Sequence, residues 1–208
     1  MSQIRKTSEA RQRQIVEAAR NIIATRGIEA LTIREIAKEV GISEGDIYRH
    51  FASKKVILLF LIEDVEKTLM ELVERAVSEE REPIQSLENV LKAHLSYVEQ
   101  RRGVSLLIVA ETLRLADKDL RKRMFEVVNR YIARIEEILA QVMRSGHVSK
   151  DIDLGTAALT FFALIHATIT LWALSDASFS LTEKHKPLWE SYLAGIAERA
   201  FESGRKKW

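Results

Sequence analysis

The chain of 208 residues contains no cysteine, only 2 prolines and only 8 glycines. Without cysteine it has no disulfides, no thiolate zinc site, no iron–sulfur cluster and no cysteine nucleophile. An all-β chain of this length would need many tight turns, and tight turns need glycine and proline. The shortage of turn residues therefore favours an all-α fold built from long helices.

The residues that are present can form a folded core with a basic N-terminal region. Hydrophobic residues make up 47% of the chain and charged residues 30%, a composition that excludes disorder for most of its length. Residues 1–55 carry 11 basic and 7 acidic residues, a charge of +4, whereas the remainder carries 21 basic and 23 acidic residues, a charge of −2. A basic first quarter on a nearly neutral body is typical of a protein that binds a polyanion.

Apolar residues recur at helical spacing along most of the chain. Polar residues that cap helix N-termini stand before several of these runs, among them Thr32, Ser43, Ser53 and Asp153. The combined pattern predicts helices over about 8–25, 33–40, 44–50, 54–79, 84–101, 104–115, 118–144, 154–175 and 182–203.

The segment 154–175 needs a separate interpretation because it is long enough to span a membrane and contains no Asp, Glu, Lys or Arg. It does contain four threonines and His166, and no basic residue follows closely after it. We therefore interpret it as a helix buried in a core or a subunit interface. The N-terminus lacks the apolar run of a signal peptide, so a cytoplasmic location is expected.

Residues 33–52 have the spacing of a helix-turn-helix. Ala37 is small where two helices would cross, Gly41 permits the turn between them, and Ile47 lies where the second helix would pack on the first. The second helix of such a unit lies in the major groove of DNA.

The sequence that follows the turn is more specific. Residues 41–55 read GISEGDIYRHFASKK, and the run Tyr48-x-His50-Phe51-x-Ser53-Lys54 resembles the signature of TetR-family transcriptional regulators. The resemblance covers residues 8–60; beyond them only the number and length of the helices agree. It implies an all-α fold with a three-helix helix-turn-helix DNA-binding domain (1–53) and a helical ligand-binding and dimerisation domain (54–208).

The resemblance also implies roles for individual residues. Arg34 would approach DNA from the second helix, and Tyr48 would bind a phosphate or, on the alternative interpretation, belong to the core. Asp46 stands where the family mostly has a small or hydroxylated residue, so it either accepts a hydrogen bond from a cytosine or only caps its helix. The implied DNA-binding residues are Arg34, Ser43, Glu44, Gly45, Asp46, Tyr48, Arg49, His50 and Lys54.

The remainder of the chain lacks the patterns of common catalytic sites. It contains no Glu-x-x-His pair, no phosphate-binding glycine loop and no Gly-x-Ser-x-Gly, so we predict no enzyme activity, no cofactor and no metal. Glu111 and His166 lie in apolar runs and could anchor a ligand, although Glu111 could face solvent and His166 could be an ordinary core residue. The candidate ligand-binding residues are Tyr97, Glu111, Phe125, Asn129, Phe162, His166 and Trp172.

These observations together predict a ligand-responsive DNA-binding transcriptional regulator. We expect a cytoplasmic repressor that binds a palindromic double-stranded operator as a homodimer, paired through helices 154–175 and 182–203, and that a hydrophobic small molecule releases. An activator would carry the same features. The alternatives are a non-catalytic helical adaptor that uses its helix-turn-helix for protein contacts, and an all-helical enzyme.

Overall fold

The computed structural model describes the backbone of residues 2–197 and the side chains from Ser8 onward. Within this range the chain is all-α, which confirms the predicted fold class. A short 3₁₀ turn, Ile28–Ala30, follows the first helix. The helices are α1 (Ser2–Arg26), α2 (Ile33–Val40), α3 (Glu44–Tyr48), α4 (Lys54–Glu79), α5 (Pro83–Gln100), α6 (Val104–Leu115), α7 (Lys118–Arg144), α8 (Leu154–Leu174) and α9 (Leu181–Ile196).

Most helix boundaries agree with the sequence pattern, and the differences have local causes. α1 starts at Ser2, earlier than predicted, because residues 2–7 contain no helix breaker and lack only the apolar stripe that set the predicted start. α3 ends at Tyr48, because the backbone amides of His50 and Phe51 both donate to the carbonyl of Ile47 and close a turn. α9 ends at Ile196, earlier than the predicted end near residue 203, because the backbone of Ala197 is extended (φ −60°, ψ 149°). Residue 203 itself lies outside the described residues.

Side-chain caps start six of the described helices, and at α4 and α7 the capping residues are Ser53 and Asp117. The Thr32 hydroxyl accepts from the Glu35 amide at 3.1 Å, and the Asp153 carboxylate accepts from the Thr156 amide at 2.7 Å. At α3 the cap is reciprocal: Ser43 Oγ accepts from the Asp46 amide at 3.1 Å, while Asp46 accepts from the Ser43 amide at 3.3 Å. Ser180 caps α9 in the same way as Thr32 caps α2. Each cap satisfies amides that a helix leaves unpaired at its first turn.

The first of two compact units contains the chain up to Glu71 together with Ser96–Arg130. Its core is formed by apolar side chains of α1, α2, α3, α6 and the adjoining parts of α4 and α7. Phe51 packs edge-to-face on Phe60 with ring centroids 5.1 Å apart. Gly41 adopts the left-handed conformation (φ 77°, ψ 37°) that the turn between α2 and α3 requires. Fully buried members of this core include Ile15, Ile22, Ile36, Ile47, Leu58 and Leu61.

The second compact unit contains Leu72–Leu95 and the chain from Tyr131 onward, with α8 packed in its core. α8 is long and apolar enough to cross a membrane by length and composition. However, the Phe161 ring packs edge-to-face on Tyr192, whose hydroxyl donates to the Ala157 carbonyl at 2.9 Å. α8 is therefore a core helix. Its buried side chains are Ala157, Ala158, Phe161, Ile165, Ile169 and Trp172.

The two units group residues that pack together, whereas the predicted division after residue 53 separates the residues expected to bind DNA from those expected to bind a ligand. α4, α5 and α7 each contribute residues to both units. The boundary between residues 53 and 54 therefore stays a prediction.

Candidate nucleic-acid interface and buried polar cluster

The short helix α3 has one buried side and one exposed side. Ile47 is completely buried and anchors the helix to the first unit's core. Glu44, Gly45 and Arg49 are exposed, and 54% of the Tyr48 side chain is accessible to solvent. Tyr48 is thus a surface residue, which excludes the alternative that it belongs to the core. The exposed side presents an aromatic hydroxyl and a guanidinium, both suited to phosphate contacts.

Asp46 caps α3 and is neutralised locally. Its carboxylate accepts from Ser43 Oγ at 2.7 Å and from Arg49 Nη1 at 2.8 Å. The hydrogen bonds from Ser43, together with the nearby Arg49 charge, lower the pKa of Asp46. The carboxylate is therefore ionised at neutral pH, and Arg49 offsets a charge that would otherwise repel DNA phosphates.

All nine residues predicted to bind DNA lie in the first unit and are at least partly exposed. α1 holds His50 in place, because Ser8 Oγ lies 3.4 Å from its Nδ1 and the Gln12 amide donates to its carbonyl at 3.5 Å. Arg34 is exposed on α2, and Lys54 is the first residue of α4. Their roles toward DNA stay predictions.

Lys54 has a partner that the sequence did not reveal. Its Nζ lies 3.3 Å from Oε1 of Glu111 on α6. Arg114 also binds this carboxylate with two hydrogen bonds, of 2.7 and 2.9 Å, and Glu111 is only 1% exposed. The suggestion that Glu111 faces solvent is wrong; its carboxylate is buried between two cations. The hydrogen bonds from Arg114 outweigh burial and, with Lys54, lower the pKa of Glu111.

The second unit brings together two of the predicted ligand-binding residues with two that were missed. The rings of Phe162 and His166 lie 4.1 Å apart between centroids, and His166 is 6.2 Å from His94. His94 Nδ1 lies 3.0 Å from the hydroxyl of Tyr131, and both side chains are buried. We refer to His94 and Tyr131, together with the half-buried Phe162 and His166 that adjoin them, as the buried polar cluster.

The buried polar cluster is uncharged at neutral pH. Burial lowers the pKa of His94 to about 3 and that of His166 to about 4, and it raises the pKa of Tyr131. Neutral imidazoles offer one donor and one acceptor each. The cluster therefore contains neutral hydrogen-bonding groups among apolar side chains.

The other predicted ligand-binding residues lie elsewhere. Trp172 is a core residue of the second unit, 7% exposed. Tyr97, Phe125 and Asn129 belong to the first unit; the Phe125 ring is 66% exposed and Asn129 is exposed as well. Within residues 8–197, no group of three or more histidine, aspartate or glutamate side chains is arranged to hold a metal ion.

Two family models together match most of the chain. The family model "Bacterial regulatory proteins, tetR family" matches residues 15–60, and the model "YsiA-like protein, C-terminal region" matches residues 63–195.

Two relatives and one solved structure extend over most of the chain. The fatty acid metabolism regulator protein of Bacillus subtilis (strain 168) is 27% identical over 183 residues, which cover 88% of this chain and 94% of that protein. The nucleoid occlusion factor SlmA of Vibrio atlanticus (strain LGP32) is 28% identical over 191 residues, with 89% and 95% covered. The crystal structure of FadR from Bacillus subtilis in complex with stearoyl-CoA has a TM-score of 0.76 and 26% identity, and it covers 88% of this chain and 98% of that one.

Proposed function

Since the chain belongs to the TetR family of DNA-binding transcriptional regulators, we propose that it is a repressor that a fatty acyl-CoA releases from a palindromic operator. The family is non-enzymatic, and its members bind DNA. Membership of this family therefore contradicts both the adaptor alternative and the enzyme alternative.

The observation that carries the DNA-binding half is the exposed side of α3. Tyr48 is the last residue of α3, Arg49 follows it directly, and both are exposed, whereas the opposite side of the helix is fixed by Ile47, which is completely buried. A helix of this kind enters the major groove, and the basic residues around it contact phosphates.

The test begins with selection of a preferred duplex from a random library. Tyr48→Ala should weaken binding to all sequences, and replacement of Glu44 or Asp46 should change which sequence is preferred. Phe125→Ala is the matched control, since this ring is also exposed in the first unit. Unchanged affinity in Tyr48→Ala would show that α3 does not lie in the groove.

The effector half is supported by the FadR structure, which contains stearoyl-CoA, and by the buried polar cluster. A thioester carbonyl can accept a hydrogen bond from a neutral imidazole or from the Tyr131 hydroxyl, while the acyl chain is bound by apolar side chains. The effector shifts the equilibrium only if it binds the DNA-incompetent form more tightly. α4, α5 and α7 contribute to both compact units and provide continuous backbone from the cluster's unit to the DNA-binding unit.

Titration of stearoyl-CoA, coenzyme A and stearate into the protein–duplex complex tests this half. Stearoyl-CoA should dissociate the complex, and His166→Leu or Tyr131→Phe should weaken that response without changing DNA affinity. His147→Leu is the control because His147 is an exposed histidine of the same unit. If saturating stearoyl-CoA leaves DNA affinity unchanged, the effector assignment is wrong and the DNA-binding assignment remains.

The exposed side of α8 supports a homodimer. Leu159, Leu171 and Leu174 are 53%, 63% and 78% exposed on a helix that contains no Asp, Glu, Lys or Arg. A two-fold interface is the commonest arrangement that covers such a surface, and it matches a palindromic operator. We infer that α8, together with α9, pairs two protomers in the cytoplasm.

A further inference from the structure

The first turn of α4 is held by acidic residues from a distant part of the sequence. Lys54 contacts Glu111 at 3.3 Å. The adjacent Lys55 contacts Asp117 at 3.0 Å, in the segment that joins α6 to α7, and Asp119 at 2.6 Å, in the first turn of α7. Both ammonium groups at this end of α4 are therefore paired with carboxylates before any DNA is present.

The Lys54–Glu111 contact is longer than either hydrogen bond that Arg114 makes with the same carboxylate. A charge-assisted hydrogen bond of this kind is usually about 2.7–2.9 Å long. Arg114 binds both oxygens of Glu111 within that range, whereas Lys54 is at 3.3 Å. Arg114 alone would leave the buried carboxylate paired if Lys54 moved away, so the usual penalty for an unpaired buried charge does not arise. The Lys54 side chain is 32% exposed and has access to solvent for such a movement.

We propose that Glu111 is a positioning residue that restrains Lys54, so that this carboxylate and a DNA phosphate compete for the same ammonium group. The proposal rests on the predicted phosphate contact of Lys54. In the complex Lys54 turns to the phosphate and Glu111 stays with Arg114. α6 thereby sets the DNA affinity without touching a base edge, and the effect is independent of DNA sequence.

The experiment measures binding to a mixed-sequence duplex, so neither the operator nor the effector is needed. Glu111→Gln should bind the duplex about two- to fivefold more tightly than wild type for each Lys54 side chain that it releases. This factor corresponds to the free energy of a partly exposed ion pair. Lys54→Met should bind more weakly, and its slope of log affinity against log salt should be shallower by about 0.9 per lost phosphate contact.

The decisive comparison is the double variant. In the Lys54→Met background, Glu111→Gln should have no effect, because the ammonium group that it would release is absent. A gain that persists there would come from Arg114 or from overall charge and would overturn the proposal. Weaker or unchanged binding by a Glu111→Gln variant that is shown to be folded would overturn it too. Wild-type protein that binds no duplex would instead contradict the proposed function.

A second pair of residues protects the test against misfolding of Glu111→Gln. Asp119 is 74% exposed, so Asp119→Asn leaves no buried group unpaired. If the competition extends to Lys55, the next basic residue at this end of α4, Asp119→Asn should tighten duplex binding and Lys55→Met should abolish that gain. If neither Glu111→Gln nor Asp119→Asn tightens binding in a lysine-dependent way, acidic restraint of α4 is not a property of this protein.

Discussion

Replacement of two glycines in the helix-turn-helix should separate stability from DNA binding. Gly41 has φ 77°, and a Cβ added there meets nothing within 4 Å. Gly41→Ala therefore suffers only from the left-handed backbone, which disfavours a non-glycine residue by about 1–2 kcal/mol. Gly45 lies within α3, where a Cβ meets only Ser43 Oγ at 3.6 Å, an ordinary contact. Gly45→Ala should stabilise the fold by about 0.5–1 kcal/mol because alanine favours helix.

The variant that is more stable should be the one that binds DNA more weakly. Each kcal/mol shifts the melting temperature of a chain of this size by about 2–4 °C, so Gly41→Ala should melt lower and Gly45→Ala higher by far-ultraviolet circular dichroism. Below its melting temperature Gly41→Ala should bind the selected duplex normally. Gly45→Ala should bind about tenfold more weakly in fluorescence anisotropy, since the added methyl lies between α3 and the base edges. A Gly45→Ala variant with wild-type affinity would refute the placement of this turn in the groove.

Two further predictions concern acid stability and assembly. Burial disfavours the charge on Glu66, but hydrogen bonds from Arg130 and Arg123 outweigh burial and lower the pKa of Glu66. The ionised Glu66 therefore stabilises the fold fully above the unfolded pKa of about 4.3, and this stabilisation is lost as the pH falls through the lower pKa of the folded state. Acidification to about pH 3 should thus lower the melting temperature more in wild type than in Glu66→Gln, and equal losses would contradict this assignment. Leu171→Arg on α8 should sediment as a 23.8 kDa monomer and lose operator affinity. Leu113 has a similar exposure but lies in the first unit, so Leu113→Arg should remain a dimer. If Leu171→Arg is also a dimer, the interface lies elsewhere.

Features determined by neighbours in the chain were predictable. The caps at Thr32, Ser43 and Asp153 depend on groups three residues away, and the sequence contains both partners. The helical spacing of apolar residues predicts that Ile47 is buried, and the residues on the opposite side of α3 are therefore expected to be exposed. Helix existence and position could be predicted for the same reason, because caps and apolar stripes are local signals.

Pairs that are distant in sequence could not be predicted. Lys54 and Glu111 are 57 residues apart, and His94 and Tyr131 are 37 apart. The apolar neighbours of Glu111 suggested a ligand pocket, because a buried carboxylate and a pocket anchor have the same sequence environment. His94 stood between buried leucines on its helix, and this interruption of an apolar stripe was the one signal that could have identified it.

The two polar groups buried in the separate units differ in a way that fits their proposed roles. Burial of a charge is costly unless the charge is paired, and Glu111 remains ionised because two cations bind it. The histidines of the buried polar cluster have no such cation, and their lowered pKa values keep them neutral. A thioester carbonyl and an acyl chain at the cluster would exchange only neutral hydrogen bonds and apolar contacts, so this part of the binding free energy should hardly depend on salt. DNA binding, in contrast, exchanges ion pairs for phosphate contacts and is strongly salt-dependent. On the proposed function, the acyl part of the effector and the DNA would therefore be bound by different kinds of contact, neutral in the second unit and charged in the first.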